Sequence, residues 1–108
     1  MVDLTGKVAL ITGAGQGVGQ GIALAMAASG AKIAVTGRTL EKLDKTVAII
    51  TERGGTAIAL PCNVKSADDL ARIVADTVAH LGSVDILVNN AQEVPNGKLL
   101  DVSDEAFL

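Results

Sequence analysis

The chain has no tyrosine and no tryptophan, and its single aromatic residue is Phe107, the penultimate position. One cysteine, Cys62, cannot form a disulfide within the chain, and a lone Cys beside a strand reads as a small buried hydrophobe. No apolar run approaches the ~18 residues that span a bilayer. The start, Met1-Val2-Asp3-Leu4, lacks the basic and apolar regions of a signal peptide. These absences argue against a membrane span and a secreted disulfide scaffold, and the expected compartment is the cytoplasm. A net charge of −3 offers no basic surface for nucleic acid, and a composition that is 49% hydrophobic argues against disorder. The 108 residues suit one domain, residues 1–108.

What the chain does have is an alternation of apolar strands and helical patterns, which points to parallel βαβ units wound right-handed. Residues 7–12 form a continuous apolar strand of the kind covered on both faces. An alanine-rich helix follows from residue 17 to about residue 29 and is stopped by Gly30. Residues 32–36 make the second strand. Thr39 is expected to cap a second helix, in which Leu40, Leu43, Val47 and Ile50 recur at helical spacing and which Gly54-Gly55 ends. The third strand, residues 56–60, is closed by Pro61. Ser66 and Asp69 give a capping-box-like start in which Asp stands for Glu. Behind them Leu70, Ile73, Val74, Val78 and Leu81 draw the apolar stripe of a third helix that stops at Gly82. His80, in its last turn, reads as a helix-end group rather than a metal ligand or catalyst, and no metal site is expected. Residues 85–89 form the fourth strand, and Ser103 reads as the cap of a fourth helix.

The segment Thr12-Gly13-Ala14-Gly15-Gln16-Gly17-Val18-Gly19 lies between the first strand and its helix. Glycine lets the backbone take positive φ and lets a ligand approach the main chain closely. A helix that starts at such a turn aims N–H groups and its positive dipole end at the space in front of it, so a phosphate is the natural occupant. The spacing narrows the choice. G-x-G-x-x-G fails in every register, because Val18, Gln20 and Ile22 stand where the third glycine would be. A P-loop fails as well, since Gly6-Lys7 and Gly97-Lys98 are followed by Val8 and Leu99 rather than Ser or Thr, and this disfavours an ATP or flavin binder. The pattern that fits is G-x-x-x-G-x-G at Gly13, Gly17 and Gly19.

Preceded by Thr12 and a strand, that pattern resembles the short-chain dehydrogenase/reductase family, whose members bind NAD(P). The resemblance implies an α/β fold, a Rossmann-type doubly wound parallel sheet, here truncated after the fourth strand. It places Gly13, Gly15, Gln16, Gly17, Val18 and Gly19 around the cofactor. In dinucleotide folds a carboxylate about 20 residues past the cradle accepts from the ribose, whereas a nearby Arg accommodates a 2′-phosphate. Here the second strand ends in Val35-Thr36-Gly37-Arg38-Thr39 with no carboxylate before Glu41, which favours NADP(H) over NAD(H). NADP-preferring members of the family often also carry a basic residue where Gln16 stands. The resemblance sets Asn63 and Val64 at the adenine, where the family usually has Asp-Val, although Asn63 also suits a simple turn. Asn89-Asn90-Ala91-Gln92 resembles the family's N-N-A-G motif, which puts Asn90 and Ala91 near the cofactor ribose and departs from the pattern at Gln92.

The implied chemistry is hydride transfer to or from a carbonyl, with a Tyr as acid/base assisted by a Lys and a Ser. No Tyr is present, so no catalytic residue is assigned to this chain. The resulting expectation is an NADP(H)-dependent oxidoreductase acting on a small alcohol or carbonyl. The protein would be a homo-oligomer, a dimer or tetramer, with this chain its cofactor-binding part and inactive alone. A non-catalytic nucleotide-binding module is the alternative. The sequence stops about one turn into the expected fourth helix, and one turn cannot stabilise itself, so the chain reads as cut. Strand four would then leave an apolar edge uncovered. Residues 1–108 alone are expected to fold poorly or self-associate; sedimentation showing a monomer, together with one cooperative melt, contradicts this.

Overall fold

A computed structural model describes residues 3–15, 17–63 and 66–90. Seven elements alternate along them: β1 (Val8–Thr12), α1 (Gly17–Ala28), β2 (Lys32–Gly37), α2 (Leu40–Glu52), β3 (Ala57–Pro61), α3 (Ala67–Leu81) and β4 (Ile86–Val88). All strand pairs are parallel, in the order β3-β2-β1-β4. This is the 3-2-1-4 part of the Rossmann order, as the α/β alternation predicts. The expected helix at Ser103 lies outside the described residues. Among the described residues no helix is long and apolar enough to cross a membrane.

The period-two alternation of side chains along each strand divides the core into two layers. Ala9 and Ile11 of β1, Ile33 and Val35 of β2 and Ile86 of β4 meet Ala23 of α1 and Leu43 and Ile50 of α2 on one face. Leu10, Ala34 and Leu87 face the other way, against Leu70 and Ile73 of α3. Burial of each large aliphatic side chain contributes about 1.5–3 kcal/mol relative to exposure. Small residues at Ala9, Ala23 and Ala34 let helices and sheet approach closely, and all three are fully buried. Because α1 and α2 cover one face and α3 the other, the chain reverses its direction across the sheet after β3. The reversal creates a crevice between the carboxyl ends of β1 and β4, where open α/β sheets bind ligands.

Several boundaries differ from the sequence reading. Thr39 occupies the N-cap of α2, but its side chain makes no capping hydrogen bond; its carbonyl accepts from Lys42 N and Leu43 N instead. Leu40 is 48% exposed, so the buried stripe of α2 begins at Leu43. In α3, Thr77 is buried and Val78 is 45% exposed, the reverse of the apolar pattern. At ~100° per residue Thr77 falls midway between Ile73 and Leu81 on the stripe while Val78 falls at its edge. Donation from Thr77 Oγ1 to Ile73 O at 2.6 Å satisfies the buried hydroxyl. The capping box of α3 is half made: Ser66 Oγ accepts from Asp69 N at 3.2 Å, but the Asp69 carboxylate accepts from Asn63 N rather than Ser66 N. Pro61 belongs to β3, whose edge position tolerates a missing N–H. His80 stands in the last turn of α3, with Nδ1 2.8 Å from Asp76 O one turn back.

At the amino edge of the sheet Asp85 splices β4 onto β1. Its backbone N donates to Val8 O, and its Oδ2 accepts from Val8 N and from Ser83 Oγ, all at 2.9 Å. These donors, led by Val8 N–H, hold the carboxyl below its usual value of 3.8. A folded pKa below the unfolded one contributes stability at higher pH, which is lost as pH falls from 3.8 through the lowered folded value. Asp85→Asn keeps an acceptor but removes the charge. It is expected to lower the melting temperature at neutral pH and to match the wild type once pH lies below the folded pKa. Equal shifts at every pH, followed by calorimetry, would contradict this account.

Candidate functional site

Because the strands are parallel, their carboxyl ends share one edge of the sheet, and the residues that follow them gather there: Gly13 after β1, Arg38 after β2, Asn63 after β3, and Asn89 and Asn90 after β4. The turn between β1 and α1 is the centre of this edge. Gly13 takes φ +65° and Gly17, the first residue of α1, takes φ +59°, conformations open to glycine at little cost. Gly15 and Gly19 serve packing instead. A Cβ on Gly15 would sit 2.9 Å from Lys42 Cβ of α2. A Cβ on Gly19 would collide with the Gly13 carbonyl oxygen and come within 2.6 Å of Asn90 Nδ2. At Gly17 the same atom would meet only open space. The first-turn N–H groups of α1 have no acceptor within the helix, so they and the dipole end suit an anion lying over the turn.

Two sets of hydrogen bonds hold the turn in place. On the β4 side, the buried Thr12 hydroxyl accepts from Asn90 N at 2.9 Å and lies 3.4 Å from Val88 O and 3.5 Å from Asn89 Oδ1, its possible acceptors. Asn90 Nδ2 donates to Gly13 O at 3.3 Å. On the other side, Ala14 N donates to Thr36 O at 3.2 Å, and Ala14 O accepts from Thr46 Oγ1 at 3.0 Å. The Thr36 hydroxyl in turn donates to Leu60 O at 2.7 Å, which ties the carboxyl end of β2 to β3.

The structure therefore brings Gly13, Gly15, Gly17, Val18, Gly19 and Asn90 together at the crevice. Val18 is 72% exposed, which is unusual for a valine and leaves its side chain beside the turn in solvent. Arg38 is exposed directly after β2, on the same edge. Asn63 is exposed after β3 and is fixed through its backbone by Asp69. Gln16, Val64, Ala91 and Gln92 lie outside the described residues. Cys62 is buried, and that burial pushes its thiol pKa up, so it stays a neutral packing group. Thr46, which reaches the turn from α2, and Gln20 of α1, which donates to Thr46, were not among the sequence candidates. A polar residue at position 46, three after the buried Leu43 and four before the buried Ile50, was the available signal.

The family model for short chain dehydrogenases matches residues 7–108. The chain belongs to that family. It is 42% identical over 105 residues to a short chain dehydrogenase, mdpC, of Emericella nidulans, with 96% of this chain and 40% of that protein covered. This short-chain dehydrogenase chain thus spans about two fifths of the length of that curated relative. Its fold matches L-sorbose reductase of Gluconobacter frateurii, solved with NADPH and L-sorbose, at TM-score 0.78 and 32% identity over 82% of this chain and 34% of that one. It also matches a 7α-hydroxysteroid dehydrogenase solved with NADH and 7-oxo glycochenodeoxycholic acid, at TM-score 0.79 and 39% identity over 81% of this chain and 34% of that one.

Gly19→Ala is expected to destabilise the fold by about 1–3 kcal/mol, because neither the Gly13 carbonyl nor the Asn90 amide can yield without losing its partner. Urea unfolding checks the stability, and a chemical-shift map should place the perturbation at Gly13 and Asn90. A variant as stable as the wild type would show that the turn is looser than its contacts imply.

Proposed function

We propose that this chain is the cofactor-binding part of an NADP(H)-dependent oxidoreductase that interconverts an alcohol and a carbonyl. The observation that carries the reading is the glycine turn at the crevice between β1 and β4, packed so closely against Asn90 that position 19 has no room for a side chain. Such a turn fits a pyrophosphate, whose oxygens need backbone N–H groups and no intervening side chain. The cofactor, when bound, supplies hydride transfer.

In this reading the N–H groups of residues 15–19 hold the pyrophosphate, with Val18 shielding it from one side. Arg38 pairs with the 2′-phosphate of NADP(H) through its planar fork. Asn63 and Val64 take the adenine, and Asn90 and Ala91 border the ribose next to the nicotinamide. Asn90 Nδ2 spends one of its two protons on Gly13 O, which leaves Oδ1 and the second N–H for that ribose. The related folds occur with either NADPH or NADH, so the fold alone does not choose between them. Support for NADP(H) comes from the charge after β2, where Arg38 stands and the next carboxylate is Glu41.

The sequence contains no Tyr, and the proposal gives this chain no acid or base in the reaction. A nucleotide-binding module without turnover is the alternative reading. The two part on activity: cofactor binding with no carbonyl reduction in the full-length protein supports the module.

Calorimetric titration is expected to show tighter binding of NADPH than of NADH. Arg38→Ala should weaken NADPH by about 10- to 100-fold, the worth of a charge-assisted pair, and leave NADH unchanged. Tighter binding of NADH by the wild type would remove the assignment of Arg38.

A further inference from the structure

Thr46 is fully buried on the face of α2 that carries Leu43 and Ile50 into the core. A hydroxyl in that position is costly unless it is hydrogen-bonded. Its Oγ1 accepts from Gln20 Nε2 of α1 at 3.1 Å and lies 3.0 Å from Ala14 O and 3.4 Å from Lys42 O. One hydroxyl proton serves one acceptor at a time, and the shorter contact is with Ala14. That bond crosses 32 positions of sequence and ties the glycine turn to α2, whose Lys42 also lies close to Gly15.

The consequence follows from peptide geometry. In a trans peptide the C=O of one residue and the N–H of the next point in opposite directions, and the described residues contain no cis peptide. Drawing the Ala14 carbonyl toward α2 therefore turns the Gly15 N–H away from α2. It also keeps a partial negative charge out of the space where a phosphate would lie. Ala14 N, which belongs to the preceding Gly13–Ala14 peptide, donates to Thr36 O at 3.2 Å, so Ala14 is held on both sides of its Cα. The close approach of Gly15 to Lys42 leaves little slack for the plane to rotate.

We infer that Thr46, braced by Gln20, is a positioning residue for pyrophosphate binding: it orients the Ala14–Gly15 peptide so that an N–H rather than a carbonyl meets the phosphate. The inference rests on the cofactor reading above. Neither residue touches the ligand; both act through the turn.

The test compares NADPH with adenosine, which uses the adenine end of the site but carries no phosphate, in the full-length protein by calorimetry and ligand-observed NMR. Thr46→Val is expected to weaken NADPH by about tenfold, the effect of one lost hydrogen bond, while adenosine binding stays unchanged. Thr46→Ser, which keeps the hydroxyl, should restore NADPH binding. Gln20→Met removes only the brace, should cause a smaller loss, and decides the matter if Thr46→Val does not fold. Wild-type affinity for NADPH in both Thr46→Val and Gln20→Met would overturn the inference, as would parallel losses for NADPH and adenosine. A wild-type protein that binds neither NADPH nor NADH would instead refute the cofactor reading itself, and the positioning role with it.

Discussion

The architecture of the site depends on the contact between Gly19 and the Gly13 carbonyl. That approach lets α1 begin immediately behind β1, sets the helix dipole over the crevice and leaves room for the Asn90 amide to close the turn. Thr12 completes the arrangement from below. As a buried hydroxyl at the carboxyl end of β1, it links that end to the backbone of Asn90 after β4. Two chain segments nearly eighty positions apart are thereby joined at the point where the order of strands reverses.

Much of this was legible in the sequence because the signals were local. Continuous apolar runs at 8–11 and 86–88 read as strands buried on both faces, and they are the paired strands β1, inside the sheet, and β4, at its edge among the described residues. Glycine spacing located the turn, since the same residues that permit positive φ also permit close packing. The division of labour, with Gly13 and Gly17 setting the backbone path and Gly15 and Gly19 making room, needed coordinates, because spacing cannot say which neighbour a Cβ would strike.

The misreadings have a common physical origin. Val78 and Leu40 were counted as core because they are apolar, whereas Thr77 and Thr46 were passed over because they are polar. A helix buries positions, not residue types, and a threonine inside an apolar stripe is tolerated when its hydroxyl finds a carbonyl within reach. Thr77 does this within its own helix, at Ile73 O; Thr46 does it across to another segment, at Ala14 O. Only the second kind carries information about a site, and it depends on tertiary contacts. Thr39 misled in the opposite sense, as a good capping residue whose position at the entry to α2 is used only through its backbone.

The Asp85 splice lies at the amino edge of the sheet and the glycine turn at the carboxyl edge. Four steps along β1 at ~3.3 Å separate the two edges by about 13 Å, farther than the 7–10 Å or so over which mutational effects usually couple. Substitutions at the Asp85 rim are therefore expected to leave the glycine turn at the other rim nearly untouched. A parallel sheet of this kind acts as an insulating slab between a stability dial and a recognition surface.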